Sequence, residues 1–241
     1  MKKEYKELKS YLMLWSTQSL STLGSGMTSY ALVLWLYLQS GSALKTALLS
    51  ICSYTPYVIM SIFAGALSDR WNKKRTMLIC DLIAAFSTIT VFILIRTDSL
   101  RIGHLYLLNA INGLMNTVQQ PASEIATTLL IPKKYYQKTS GLRSFSQSLN
   151  SILTPILATM IFSFAGIDFV IAVDLITFVV AFLTLWLFIS IPEKEYKEKK
   201  KENLLTSAYT GLKWLKHNPL ILNLILFLAS INLPTMQHFQ Q

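Results

Sequence analysis

Seven apolar windows, each long enough to cross a bilayer, constrain this chain more than any other feature. They lie at roughly residues 11–38, 44–66, 77–96, 102–124, 140–165, 168–191 and 219–236. A helix needs about 20 apolar residues to cross a hydrocarbon core of about 30 Å. Charged residues make up only 14% of the chain, whereas soluble domains carry about a quarter. The sequence therefore predicts an all-α, polytopic membrane helix bundle surrounded by a lipid bilayer.

The basic residues alternate with these windows in a way that indicates topology. If the N-terminus is cytoplasmic, 19 of the 22 lysines and arginines fall inside, and only Lys45, Arg96 and Arg101 fall outside. Cytoplasmic loops of membrane proteins carry an excess of Lys and Arg. The net charge of +10 is thus interpreted as a topology signal rather than a surface for nucleic acid. We expect a multi-pass protein of the cell membrane with its N-terminus inside and no nucleic-acid partner.

The composition changes abruptly after Ile191, which divides the chain into three parts. Residues 1–191 hold the first six windows, residues 192–218 form a charged cytoplasmic linker with an interfacial helix, and residues 219–241 begin a seventh span. Since one span follows the linker, we expect the first half of a larger assembly. Its partner would be a C-terminal half or a second copy of the chain.

Two pairs of similar segments suggest an internal repeat. TPYVIMSIFAGALSD (55–69) resembles TPILATMIFSFAGID (154–168), and DLIAAF (81–86) resembles DLITFV (174–179). The two members of each pair would cross the membrane in opposite directions, which favours a 3+3 inverted repeat. Chance similarity between short apolar segments is the alternative.

Polar side chains recur at helical spacing in the first, fourth and fifth windows. Amides and hydroxyls are costly to expose to hydrocarbon, so they must meet other helices or line water. Hydrogen bonding between packed helices is the alternative, but an amide-rich stripe in the fourth window favours a cavity. The predicted cavity-lining residues are Gln18, Ser21, Ser25, Asn109, Asn112, Asn116, Gln119, Ser148 and Ser151.

Four ionisable residues lie inside the windows or at their ends: Asp81, Glu124, Arg143 and Asp174. Ionisable groups within spans mark ion pathways or proton relays. A structural ion pair or cap near the headgroups is the alternative, and their positions near span ends favour it.

No motif for catalysis or cofactor binding is found in the sequence. GSGMTS (24–29) has two glycines inside a predicted span and follows no strand, so it is not a dinucleotide loop. There is no Walker lysine motif, and the three histidines are scattered. We expect neither an enzyme nor a bound cofactor or metal.

The segment GALSDRWNKKR (65–75) resembles the loop between the second and third helices of the major facilitator superfamily. The matching positions are Gly65, Leu67, Asp69, Arg70, Lys73, Lys74 and Arg75. GLKWLKHNPLI (211–221) and QQPASEIATTLLIP (119–132) are similar to segments of the macrolide-efflux and siderophore-exporter branch. The resemblance implies the six-helix N-terminal half of a twelve-helix transporter and the start of its seventh helix. It further implies a bacterial protein.

The resemblance also implies a mechanism. In the family this loop acts as a gate, with Gly65 allowing close helix contact and Asp69 accepting hydrogen bonds from a helix N-terminus of the other half. The implied function is export of a small drug-like or amphipathic molecule by alternating access, in exchange for protons.

Three positions depart from the family pattern. Asn72 stands where members typically have Gly. Asn109 and Asn112 occupy the fourth-helix stripe, which lacks the usual Arg, and Thr154 precedes Pro155 where Gly is usual. The alternatives therefore stay open: nutrient uptake by the same fold, a truncated membrane protein without transport, or a half-transporter that needs dimerisation.

Overall fold

The computed structural model describes residues 2–192, 213, 215, 217–224 and 227; within the first range, the side chains of residues 2–7, 62 and 64–70 lie outside the description. The helices in residues 2–192 are α1 (Lys2–Ser40), α2 (Ala43–Arg70), α3 (Lys73–Arg96), α4 (Ile102–Leu130) and α5 (Tyr136–Leu183). A 3-10 turn precedes α5 at Lys133–Tyr135, and a π-helical turn follows it at Thr184–Phe188. The predicted all-α bundle is confirmed.

Helix α5 is two helices joined at Gly166. This residue has φ 76° and ψ 177°, a backbone conformation that is essentially restricted to glycine. The first arm covers residues 136–165 and the second covers 167–183. With this break the described helices correspond to the first six apolar windows, as the half-transporter fold requires.

Helices α1 and α4 pack against different neighbours. Helix α1 packs mainly against α5, and α4 packs mainly against α2 and α3. A 3+3 inverted repeat with α1 and α4 as counterparts would pair the helices in this way; the repeat stays a prediction.

One interhelical contact is especially close. A Cβ atom added to Gly113 of α4 would lie 2.0 Å from the main-chain oxygen of Ser53 in α2. Only glycine permits this approach, and small residues at helix interfaces are typical of membrane bundles.

Large apolar side chains cover much of the outside of the bundle. Phe86 is 71% exposed and Phe164 is 88% exposed. By length and composition, two helical stretches of the described residues could span a membrane: Lys73–Arg96 and Lys133–Phe188, each with a mean hydropathy of 2.5. In α1 and α4, polar residues interrupt the apolar sequence.

Candidate functional site

A polar cavity of about 690 Å³ lies between α1, α2, α3, α4 and both arms of α5. Its volume falls within the range of about 300–1,000 Å³ that is usual for small-molecule sites. The lining combines amides, hydroxyls and carboxylates with aromatic side chains, among them Trp15, Tyr54 and Tyr57.

Most of the residues that helical spacing predicted to line a cavity are found in this lining. Those that line the cavity are Gln18, Ser21, Ser25, Asn109, Asn112, Asn116 and Gln119, together with the four ionisable residues Asp81, Glu124, Arg143 and Asp174. The structure thus brings three carboxyl groups and one guanidinium to one cavity.

Two predicted residues of the fifth window lie outside this lining. Ser148 and Ser151 are exposed, and the Ser151 hydroxyl donates to the main-chain oxygen of Ser148 at 2.8 Å. Ser146 and Asn150 of the same arm lie in the lining. Serines occur on both faces of this arm, so their spacing alone does not determine which of them line this cavity.

Both of those missed residues bind α1 at the same point. The Ser146 hydroxyl donates to the Ser19 Oγ at 2.8 Å, and the Asn150 amide donates to the Ser19 main-chain oxygen at 3.2 Å. The first arm of α5 is therefore held to α1 by polar contacts along the cavity wall.

Asp81 lies where α3 meets α4 and α1. The Gln119 amide donates to its Oδ1 at 2.5 Å. Gln18 of α1 also interacts with the Asp81 carboxyl group. Amides from α4 and α1 therefore meet this carboxyl group beside the cavity.

Asp174 lies on the second arm of α5 against α1 and is only 3% exposed. The Ser25 hydroxyl donates to its Oδ1 at 2.8 Å. The hydroxyl groups of Thr28 and Thr88 also interact with this carboxyl group.

Glu124 and Arg143 form an ion pair that joins α4 to the start of α5. The Arg143 guanidinium lies 2.5 Å from the Glu124 carboxylate, and both side chains are nearly half exposed. Such exposed pairs contribute little to stability, and both residues line the cavity.

The segment GALSDRWNKKR (65–75) is called the gate segment below. Its residues 65–70 end helix α2, and its side chains are described from residue 71 onward. Asn72, where the segment departs from the family pattern, caps α3 by accepting a hydrogen bond from the Arg75 main-chain N–H at 2.8 Å. Lys73 and Lys74 belong to the first turn of α3, where Lys73 bonds the Trp71 oxygen at 3.0 Å. The side chains of Gly65, Leu67, Asp69 and Arg70 lie outside the described part, so the gate contact of Asp69 stays a prediction.

Comparison with known proteins extends over nearly the whole chain. Residues 14–240 match the profile described as "Major Facilitator Superfamily". Macrolide efflux protein A of Streptococcus pyogenes is 25% identical over 221 residues, which cover 91% of this chain and 54% of that protein.

Two further relatives give a similar result. Macrolide efflux protein A of Enterococcus faecalis is 26% identical over 77% of this chain and 57% of its own length. An uncharacterized MFS-type transporter of Bacillus subtilis is 23% identical, with 90% of this chain and 52% of that protein covered. The chain spans about half the length of these relatives.

Proposed function

Because this chain belongs to the major facilitator superfamily, we propose that it takes part in export of a small amphipathic molecule across the bacterial cell membrane. The protein acts as a transporter and not as an enzyme. Its N-terminus is cytoplasmic, and it works with a C-terminal half or with a second copy of itself.

The observation that carries this proposal is the cavity of about 690 Å³ inside a bundle with an apolar exterior. Amides and carboxylates in a membrane bundle are costly unless they are paired or hydrated. Amides of α4 and aromatic side chains such as Tyr54 and Tyr57 both line this space. A substrate with polar and apolar parts satisfies both kinds of lining.

The arrangement of the bundle supports a proposal of alternating access. In transporters built from repeats, substrates bind near the bilayer midplane, and rocking of one part against another opens the site to each side in turn. The polar faces of α1 and α4, the counterparts of the proposed repeat, both line the cavity. They are therefore positioned to contact a substrate in either state.

Exchange with protons requires a carboxyl group that can lose and regain a proton during the cycle. Asp81 is the best candidate in the described part of the chain, because it lines the cavity, forms no ion pair there and is less buried than Asp174. Glu124 is less suited, since its charge is balanced by Arg143. We propose Asp81 as the proton carrier.

The two relatives named macrolide efflux protein A suggest the substrate class. Macrolides are amphipathic compounds, and we propose this class for the present protein. Roughly half of the site would come from the second half or second copy.

Accumulation of a radiolabelled macrolide tests the proposal in cells that express the complete open reading frame encoding this chain. We expect lower accumulation than in cells with an empty vector, and restoration of the empty-vector level by a protonophore. Unchanged accumulation for every macrolide tried would contradict macrolide export. Increased accumulation would support uptake, the main alternative.

A separate measurement tests whether the chain works as a dimer or only together with a covalently linked second half. Expression of the 241-residue chain alone, followed by cross-linking in membranes, would show whether two copies associate. Macrolide export by cross-linkable dimers would support the half-transporter; export only from a longer reading frame would support a covalently linked second half.

A further inference from the structure

Asp174 is a buried carboxyl group whose hydrogen-bond partners are neutral hydroxyls. The Ser25 hydroxyl of α1 donates to its Oδ1 at 2.8 Å, and the hydroxyls of Thr28 from α1 and Thr88 from α3 also interact with it. On its own arm of α5, the Thr177 hydroxyl donates to the Asp174 main-chain oxygen at 2.8 Å. Among the described residues, no lysine, arginine or histidine forms an ion pair with Asp174.

A carboxylate in these surroundings is relieved most simply by a proton. Burying an unpaired charge is strongly unfavourable, and a group so placed commonly becomes neutral instead. At 3% exposure, Asp174 offers almost no surface to a cation from outside the chain. A hydroxyl both donates and accepts hydrogen bonds, so the same neighbours suit the carboxylate and the protonated carboxyl group. The site is therefore able to hold a proton and to release it.

Ser25 connects this buried carboxyl group to the cavity. Both residues line the cavity of about 690 Å³, and Ser25 is exposed while its hydroxyl is bonded to Asp174. The cavity is polar and far larger than the space that one water molecule needs. A proton can therefore travel between Asp174 and the cavity by way of the Ser25 hydroxyl, without exposure of the carboxyl group itself.

Asp174 and Asp81 lie at two levels along the same pair of helices. The Asp81 carboxyl group of α3 interacts with Gln18 of α1. Asp174 interacts with Ser25, seven residues after Gln18, and with Thr88, seven residues after Asp81. At a rise of about 1.5 Å per residue, the two levels are about 10 Å apart along α1 and α3. Both carboxyl groups line the cavity, so a proton released from one enters the space that the other lines.

We propose that Asp174 is a second proton-binding site beside Asp81 and exchanges its proton with the cavity through Ser25. On release, the carboxyl O–H bond breaks, its proton passes to the Ser25 oxygen, and the Ser25 hydroxyl proton leaves to a water molecule in the cavity; uptake reverses these steps. With the cytoplasmic N-terminus proposed above, Asp174 is the outer site and Asp81 the inner one. The inference rests on the proton exchange proposed above, which it extends from one carboxyl group to two.

Infrared difference spectroscopy of the purified 241-residue chain in lipid nanodiscs tests this proposal, because the carbonyl stretch of a protonated carboxyl group is separate from the bands of carboxylates. Spectra are compared between about pH 9 and about pH 5, a range in which buried carboxyl groups of proteins titrate. We expect one pH-dependent band to be lost in Asp174→Asn and a different one in Asp81→Asn. Ser25→Ala should shift the band that Asp81→Asn retains, because the Asp174 carboxyl group loses a hydrogen bond.

Two matched controls should leave both bands in place. Asp98→Asn removes an exposed carboxyl group from the loop after α3, and Ser16→Ala removes an exposed hydroxyl of α1 outside the cavity lining. If Asp174→Asn does not fold, Ser25→Ala decides the question.

Retention of every pH-dependent band in Asp174→Asn, or unshifted bands in Ser25→Ala, would overturn the proposal. A spectrum with only the Asp81 band would leave Asp81 as the proposed proton carrier and remove the second site. None of these measurements involves transport, so a failure of macrolide export leaves the proton site at Asp174 standing.

Discussion

The side-chain amine of Lys74 donates hydrogen bonds to the main-chain oxygens of Ile189 and Trp186, at 2.7 and 2.9 Å. Lys74 lies in the first turn of α3, whereas both oxygens lie where the π-helical turn after α5 ends. The last carbonyl groups of a helix have no partner within it, and a cation is favourable at this end of the helix dipole. Lys74 thus binds the start of α3 to the C-terminal end of the second arm of α5 and its π-helical turn.

Lys74→Met should therefore destabilise the bundle. Loss of two charge-assisted hydrogen bonds at a half-buried helix end is expected to lower the free energy of unfolding by about 1–2 kcal/mol. Chemical unfolding in detergent, followed by circular dichroism, measures this change. Lys45→Met is the control, because Lys45 is exposed and forms no ion pair in the described residues. Equal stability of the two variants would contradict the role of Lys74.

The contact between α2 and α4 gives a second prediction. In Gly113→Ala the new Cβ would meet the Ser53 main-chain oxygen at 2.0 Å, so the helices must separate. Such overpacking costs about 1–3 kcal/mol, which thermal unfolding in detergent would detect.

Gly103 offers a matched control in the same helix. A Cβ atom there would have no neighbour within 4 Å, and alanine is favoured over glycine in helices. Gly103→Ala should be neutral or slightly stabilising. Equal unfolding temperatures of Gly113→Ala and Gly103→Ala would contradict the close contact between α2 and α4.

The break at Gly166 gives a third prediction. Its φ of 76° is unfavourable for residues with a Cβ atom, and holding alanine in such a conformation costs about 1–3 kcal/mol. Gly166→Ala should lower the unfolding midpoint. Gly141→Ala, in the first arm of the same helix and with open space around the new Cβ, should not. A loss of stability only in Gly141→Ala would refute this explanation of the break.

Apolar windows predicted where the helices lie but underestimated their length. The first window covered 11–38, whereas α1 is Lys2–Ser40; the fourth covered 102–124, whereas α4 is Ile102–Leu130. Hydropathy marks the part of a helix that meets hydrocarbon, while the backbone hydrogen bonds continue into the polar ends.

The cavity was predictable only in part. Asn109, Asn112 and Asn116 form a stripe with a single possible face, so spacing was sufficient on α4. Serines on both sides of the first arm of α5 gave no such constraint, and Ser148 lies outside the lining of this cavity. The contact between Gln119 and Asp81 joins residues 38 positions apart, and only the packing of α3 on α4 brings them together.

Substitution of a cavity residue tests the central claim most directly, namely that this cavity binds the exported molecule. Asn112→Leu places an apolar side chain in the lining, whereas Thr90→Val changes a partly exposed residue of α3 outside it. Steady-state accumulation of radiolabelled macrolide is measured in cells with equal amounts of each variant in the membrane. The account predicts that Asn112→Leu raises accumulation to the empty-vector level and that Thr90→Val retains low accumulation. Full export by Asn112→Leu would contradict the claim.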